Sequence, residues 1–126
     1  MLTVKPELAF REPRLEDAAW MKELLQSSGF RSAEYSFTTL FMWRRFYRNQ
    51  IARMGNTLFI KSQEGADRFF LLPVGGDMRE NLLLLKEYAH DRGHPLKLFI
   101  TDASYLMLLD SWFPGEFAAE PMRDEF

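Results

Sequence analysis

The sequence contains no cysteine. Disulfides, thiolate metal sites and cysteine nucleophiles are thereby excluded together, and the absence fits a reducing compartment. There is no apolar run near the roughly 18–20 residues that a membrane-spanning helix requires. The opening residues, MLTVKPELAFREPRLED, carry a proline and several charges where a secretory leader would be apolar. The chain is therefore read as cytoplasmic, with association at a membrane surface left open. An excess of positive charge is also lacking. The formal net charge is −2, which argues against a globally basic nucleic-acid binder but allows a local basic patch. Repeats, low-complexity tracts and interdomain linkers are absent as well.

What the sequence does have is aromatic bulk. Of its 126 residues 15% are aromatic, and phenylalanine alone accounts for 12. Each such ring buries a large area, so a phenylalanine-rich core is expected. With 47% hydrophobic and 27% charged residues, the chain has the balance of one ordinary globular domain.

The hydrophobic pattern divides the chain into elements. Leu8–Arg11 reads as a short strand. A helix follows Pro13, with Leu15, Ala18, Met21, Leu24 and Leu25 at helical spacing and Gly29 as its stop. Ser36 is placed to cap a second helix running from Phe37 to about Arg48. QIARM and TLFIKS form a hairpin about Gly55-Asn56, a turn dipeptide with little steric cost at positive φ. EGAD supplies another turn. RFFLLPV is a continuous apolar run, as in a strand buried on both faces, with Pro73 at its end. Gly75-Gly76-Asp77 opens a third, leucine-rich helix that Gly93 closes. PLKLFIT is a further strand, Thr101 or Asp102 caps a fourth helix, and GEFAAEPM begins a last strand. The order β-α-α-β-β-β-α-β-α-β predicts an α/β (α+β) sandwich around one mostly antiparallel sheet.

That order resembles the GNAT acyltransferase fold. Four segments carry a closer resemblance: SAEYSFTTLFMWRRFY, GNTLFI, FFLLPVGG with the leucine-rich helix after it, and MRDEF. Together they are similar to the N-terminal lobe of a bacterial family of formerly unassigned function, related to the C-terminal domain of phosphatidylglycerol lysyltransferases. The resemblance covers nearly all of the chain and implies a single GNAT-like domain over 1–126, one lobe of a tandem pair. The related transferases move an aminoacyl group from aminoacyl-tRNA to a lipid headgroup. In such proteins the chain continues past an acidic aromatic stretch like Asp124-Glu125-Phe126 into a second lobe where a donor site is expected. No catalytic residue is therefore carried over to this chain, which is expected to lack the active site by itself. The implied partner is a second GNAT-like lobe or a homodimer.

The GNAT fold also implies a site for coenzyme A at LLPVGGD, where loop N–H groups and a helix N-terminus would meet the pyrophosphate. Gly75 and Gly76 would permit close approach. The acetyltransferase pattern nevertheless wants Gln or Arg where Leu72 stands and a small residue where Asp77 stands. A plain turn and cap is the preferred reading, and no cofactor is assigned.

Other chemistry finds little support. His90 and His94 have metal-ligand spacing, but Gly93 and Pro95 interrupt the helix and no carboxylate cluster supports the pair; no metal is assigned. Glu16, Asp17 and Glu23 suit a helix start, and a base role would need a cleft and a shifted pKa. Ser27, Ser28, Ser36 and Ser104 have no visible His/Asp partnership, so no nucleophile is named.

One basic stretch stands out. Arg31 to Arg53 holds five arginines against one glutamate, whereas Asp110 to Phe126 holds five acids against one arginine. Helical spacing makes most aromatics of Glu34–Gln50 core, leaving Arg44, Arg45 and Arg48 on a basic rim. That rim faces solvent, a partner lobe or protomer, or the phosphates of tRNA or anionic lipid. The competing functions are a non-catalytic lobe, a stand-alone coenzyme A-dependent N-acyltransferase, and a binding module for tRNA or an anionic membrane surface.

Overall fold

In a computed structural model of the chain, residues 8–28, 35–64, 67–100 and 104–118 are described. A 3-10 turn, Leu15–Asp17, leads into α1 (Ala18–Ser28), which is followed by α2 (Phe37–Met42). Strands β1 (Gln50–Met54), β2 (Thr57–Glu64) and β3 (Asp67–Leu71) come next, then α3 (Met78–Asp91), β4 (Leu98–Phe99) and α4 (Ser104–Trp112). The four strands form one sheet in sequence order. β1–β2 and β2–β3 are antiparallel, and β3–β4 is parallel, with α3 in the connection. The fold is thus mixed α/β.

Helices cover both faces of the sheet. Along β2, Leu58 and Ile60 point to one face and Phe59 to the other, and all three are buried. That accounts for the consecutive apolar residues Leu58, Phe59 and Ile60, since a strand segment covered on both sides has no polar face. On the first face Met21 and Leu25 of α1 and Phe37 and Leu40 of α2 pack on Ile51, Leu58, Ile60, Leu71 and Val74. On the second, Leu82 and Leu85 of α3 with Leu109 and Phe113 pack on Ala52, Phe59, Phe70 and Leu72. The alternation Phe70, Leu71, Leu72 between the two clusters is the period-2 geometry of a strand.

Several elements fall as the pattern predicts. Met54 pairs with Thr57, so Gly55-Asn56 is a two-residue hairpin loop, with Gly55 at φ 61°. Ser36 caps α2 by accepting from the Thr39 N–H, and Asp77 caps α3 by accepting from the Glu80 N–H at 3.0 Å. Gly93, at φ 74°, follows α3.

The strand expected over RFFLLPV ends at Leu71, that over PLKLFIT is reduced to Leu98–Phe99, and two further elements differ more. The expected first strand is a single bridge, in which Arg11 and Ile51 exchange both backbone hydrogen bonds at 2.9 and 2.7 Å. Pro13, two residues on, has no N–H with which to extend the ladder, and Leu8 and Phe10 pack into the second core instead. The second helix stops at Met42 rather than Arg48. Arg48 takes a left-handed conformation, φ 49°, and Asn49 is buried beneath the turn. Asn49 Nδ2 donates to the Leu40 carbonyl at 3.1 Å, and its Oδ1 accepts from Ser62 Oγ at 2.6 Å. A carbonyl orphaned at the helix end is thus satisfied by a side chain that also ties the turn to β2. The turn EGAD, the cap of α4 and the last strand lie wholly or partly outside the described residues.

Candidate functional site

Two surfaces carry the residues that sequence reasoning singled out. The first is the loop between β3 and α3. Val74 and Leu58 exchange backbone hydrogen bonds at 2.8 and 2.9 Å, and Gly75 (φ 94°) and Gly76 (φ 67°) then turn the chain into α3. The Gly75 carbonyl accepts from Asn81 Nδ2 at 2.8 Å and from Thr57 Oγ1 at 3.3 Å. A Cβ on Gly75 would strike the backbone carbonyl of Asn56 in the hairpin turn, and one on Gly76 would lie 2.8 Å from Thr57 Oγ1. The glycines therefore serve close packing of this loop against the β1–β2 turn, and Asp77 caps the helix. An open cleft of about 260 Å³ borders the same loop, with Ser27, Ser28 and Tyr105 among its lining residues.

This geometry gives a stability prediction. Gly75→Ala combines an unfavourable φ with a backbone collision, and is expected to cost about 2 kcal/mol. Chemical denaturation of the purified variant measures it. A loss below about 0.5 kcal/mol would mean that the loop does not approach the hairpin this closely.

The second surface is built at the end of α2. Of the three rim arginines, Arg44 is held within the domain. Its Nε lies 2.9 Å from Glu12 Oε1, it donates to the Phe41 carbonyl at 2.6 Å, and its guanidinium sits 3.9 Å above the Phe41 ring. Arg45 and Arg48 are exposed and have no partner among the described residues. Arg53 stacks over Trp20 at 4.8 Å. Arg31 lies outside the described residues.

The aromatics divide in the same way, and here the core reading of the stretch is corrected. Tyr35, Phe37 and Leu40 are buried, with Phe41 stacked on Phe37 at 5.5 Å. Beyond Met42 the helix is over, and the side chains leave the core. Met42 and Phe46 are each 71% exposed, Trp43 50% and Tyr47 36%. Trp43, Phe46 and Tyr47 touch one another, closest at 4.8 Å between Phe46 and Tyr47, edge to face. We call this projection the knuckle. Helical spacing suggested burial because it presumed a helix; Asn49 and the left-handed Arg48 end that presumption.

An open cleft of about 310 Å³ lies beside the knuckle, lined by Arg11, Glu12, Pro13, Arg14, Phe41 and Arg44. Behind it Asp17 is buried and receives both Arg11 guanidinium nitrogens, at 2.7 and 2.6 Å. Hydrogen bonds from Arg11 hold the Asp17 carboxyl well below the usual carboxylate range, although burial alone would raise it. The Tyr88 hydroxyl is also shifted. Burial pushes it up, but hydrogen bonds from Arg92 and Lys61 outweigh that and lower it. Neither group lines the cleft at Gly75 and Gly76. His90 is exposed, while His94 stacks on Phe70 with ring centroids 6.4 Å apart. No group of three metal-capable side chains occurs among the described residues. No helix among them is long and apolar enough to cross a membrane.

No protein-family model matches the chain, and no curated protein matches it. A solved structure does. The chain is similar to the crystal structure of a conserved protein of unknown function from Bacteroides thetaiotaomicron, with a TM-score of 0.78 and 26% identity over 86% of this chain. The match takes in 37% of that protein, so this chain spans well under half its length.

Proposed function

We propose that the chain is a GNAT-like lobe, similar to part of the phosphatidylglycerol lysyltransferase C-terminal domain, that packs against a second lobe or protomer. It helps to shape a cleft there and does not itself supply the reacting groups. The three-stranded meander, the parallel β3–β4 pair with α3 between its strands, and helices on both faces support the GNAT-like reading. The match to little more than a third of the Bacteroides protein supports a unit within a larger architecture.

The observation that carries the proposal is the outer side of α4. Leu106, Met107 and Leu108 are consecutive and 41%, 79% and 42% exposed. An apolar triplet on a helix whose other side is already in the core is a surface built to be covered. Purified at rising concentration, the chain is expected to self-associate in multi-angle light scattering, and Met107→Glu to return it to a monomer. A wild-type chain that stays monomeric throughout would sink this reading.

The cleft beside Gly75 and Gly76 favours a second reading, a stand-alone acyltransferase using coenzyme A. The Asp77 carboxylate weighs against it, because it occupies the helix N-terminus with a negative charge where a pyrophosphate would sit. Thiol release from acetyl-coenzyme A with a panel of amines separates the two readings.

A further inference from the structure

From Tyr35 to Gln63 the sequence holds no aspartate or glutamate, against four arginines and one lysine. The knuckle rises from the middle of this stretch, with Met42 and Phe46 its most exposed apolar side chains. Exposed arginines, Arg45 and Arg48, flank Phe46 and Tyr47 in sequence. At its base Arg44 faces the cleft that Arg11, Glu12 and Arg14 also line, and there it is already paired with Glu12. Apolar and aromatic side chains that project from a stretch whose own sequence holds no acid, with the exposed guanidinium groups of Arg45 and Arg48 beside them, fit one environment well: the headgroup region of a bilayer. Tryptophan and tyrosine settle at that depth, where an apolar ring body and a polar tip are both accommodated. Arginine forks match phosphate oxygens, and basic residues near an anionic leaflet gain from its surface potential.

We propose that the knuckle Met42–Arg48, through its exposed apolar side chains and the exposed Arg45 and Arg48, docks on the surface of an anionic phospholipid bilayer. The proposal goes beyond the lobe reading and does not rest on it, because α4 takes no part.

Two observations favour a bilayer over other partners. A single-stranded nucleic acid stacks its bases on open ring faces, whereas Trp43, Phe46 and Tyr47 close on one another at steep angles. A stable protein partner needs about 800 Å² from each side. The four exposed side chains offer only roughly 500 Å², judged from ordinary side-chain areas. That is small for a stable protein interface, but enough to seat a few side chains among headgroups.

The test is co-sedimentation of the whole chain with vesicles of phosphatidylcholine plus phosphatidylserine, and of phosphatidylcholine alone. Binding is expected to the anionic vesicles, to weaken with salt, and to be slight on the neutral ones. Met42→Ser with Phe46→Ser should weaken partitioning roughly tenfold, since both side chains already lie in solvent and can be changed without opening the core. Arg45→Gln with Arg48→Gln should weaken it roughly 30-fold at low salt. Met107→Glu should leave it unchanged, which separates failure here from failure of the lobe reading. Absence of sedimentation with anionic vesicles at low salt overturns the proposal. So does undiminished binding by both double variants with unaltered thermal midpoints, and so does capture of a single-stranded RNA oligonucleotide without any vesicle binding.

Discussion

Phe70→Ala is expected to lower the stability of the domain by about 3–5 kcal/mol, the cost of a large cavity in a packed core. Phe70 is fully buried in β3, a strand paired on both edges, with Lys61 opposite it on β2 and Leu98 on β4. Its ring meets Phe10 at 5.8 Å, Tyr88 at 6.0 Å nearly perpendicular, and His94 at 6.4 Å nearly parallel. These partners come from three separate parts of the chain, so one deletion loosens the N-terminal segment, α3 and the loop after it together. The backbone of Phe70 also donates to the Lys97 carbonyl at 2.9 Å, at the start of the short parallel pairing with β4. With only two paired residues in β4, side-chain packing rather than the ladder holds that strand in place. The neighbouring Phe69 is half-buried, its ring 5.9 Å from that of Phe99, and Phe69→Ala is expected to cost only about 1–2 kcal/mol. Urea unfolding of both variants measures the contrast. Equal losses would mean that Phe70 is no better buried than Phe69, and a larger loss at Phe69 that the sheet faces are assigned the wrong way round.

The contrast between Phe69 and Phe70 also marks the limit of what the sequence reveals. The run RFFLLPV announces a buried strand; burial bears this out from Phe70 to Val74, although the paired strand itself ends at Leu71. Elements whose signals are local were legible. Gly55-Asn56 made the hairpin, Asp77 the cap of α3, and the spacing Met21, Leu25 the inner side of α1. Elements that depend on distant partners were not. Nothing near Met42 announces the end of α2, because the bonds that fix it run from Asn49 back to Leu40 and across to Ser62. The same holds for the candidate surfaces. The turn-and-cap role of Gly75-Gly76-Asp77 could be read from residue types, whereas the reason for Gly75 is the carbonyl of Asn56, nineteen positions earlier. Arg44, Arg45 and Arg48 read as one rim; geometry splits them into one internal tie and two exposed charges. Spacing alone cannot separate a ring that enters a core from one that crowns a turn, since both follow from the same residues until the helix length is known.

Asp17 yields the second large effect, and a pH dependence with a definite sign. By sequence it is one of several acids at a helix start. In the structure its carboxylate is buried and accepts four hydrogen bonds: two from Arg11, one from the Arg14 N–H at 2.8 Å and one from Trp20 Nε1 at 2.9 Å. Arg11 is in turn the residue that bridges to Ile51, so the carboxylate ties the entry to α1 to the edge of the sheet. Asp17→Ala leaves the Arg14 and Trp20 donors without their acceptor, and is expected to cost about 3 kcal/mol at neutral pH. The half-exposed Arg11 side chain can recover water, which keeps the figure below that of a fully buried broken pair. Asp17→Asn keeps the shape and one acceptor oxygen, and should cost roughly half as much. The folded carboxyl titrates well below the unfolded one, which has a pKa of about 4. Below pH about 4 the unfolded chain takes up a proton here that the folded chain refuses, so this contribution is complete above that pH and fades as the solution becomes more acid. The wild-type chain should therefore lose stability more steeply than Asp17→Asn between pH 5 and about 2. Urea midpoints taken across that range decide it: parallel curves would show that Asp17 is not held as an ionised hub, while convergence of the two proteins at low pH is the behaviour its four hydrogen bonds require.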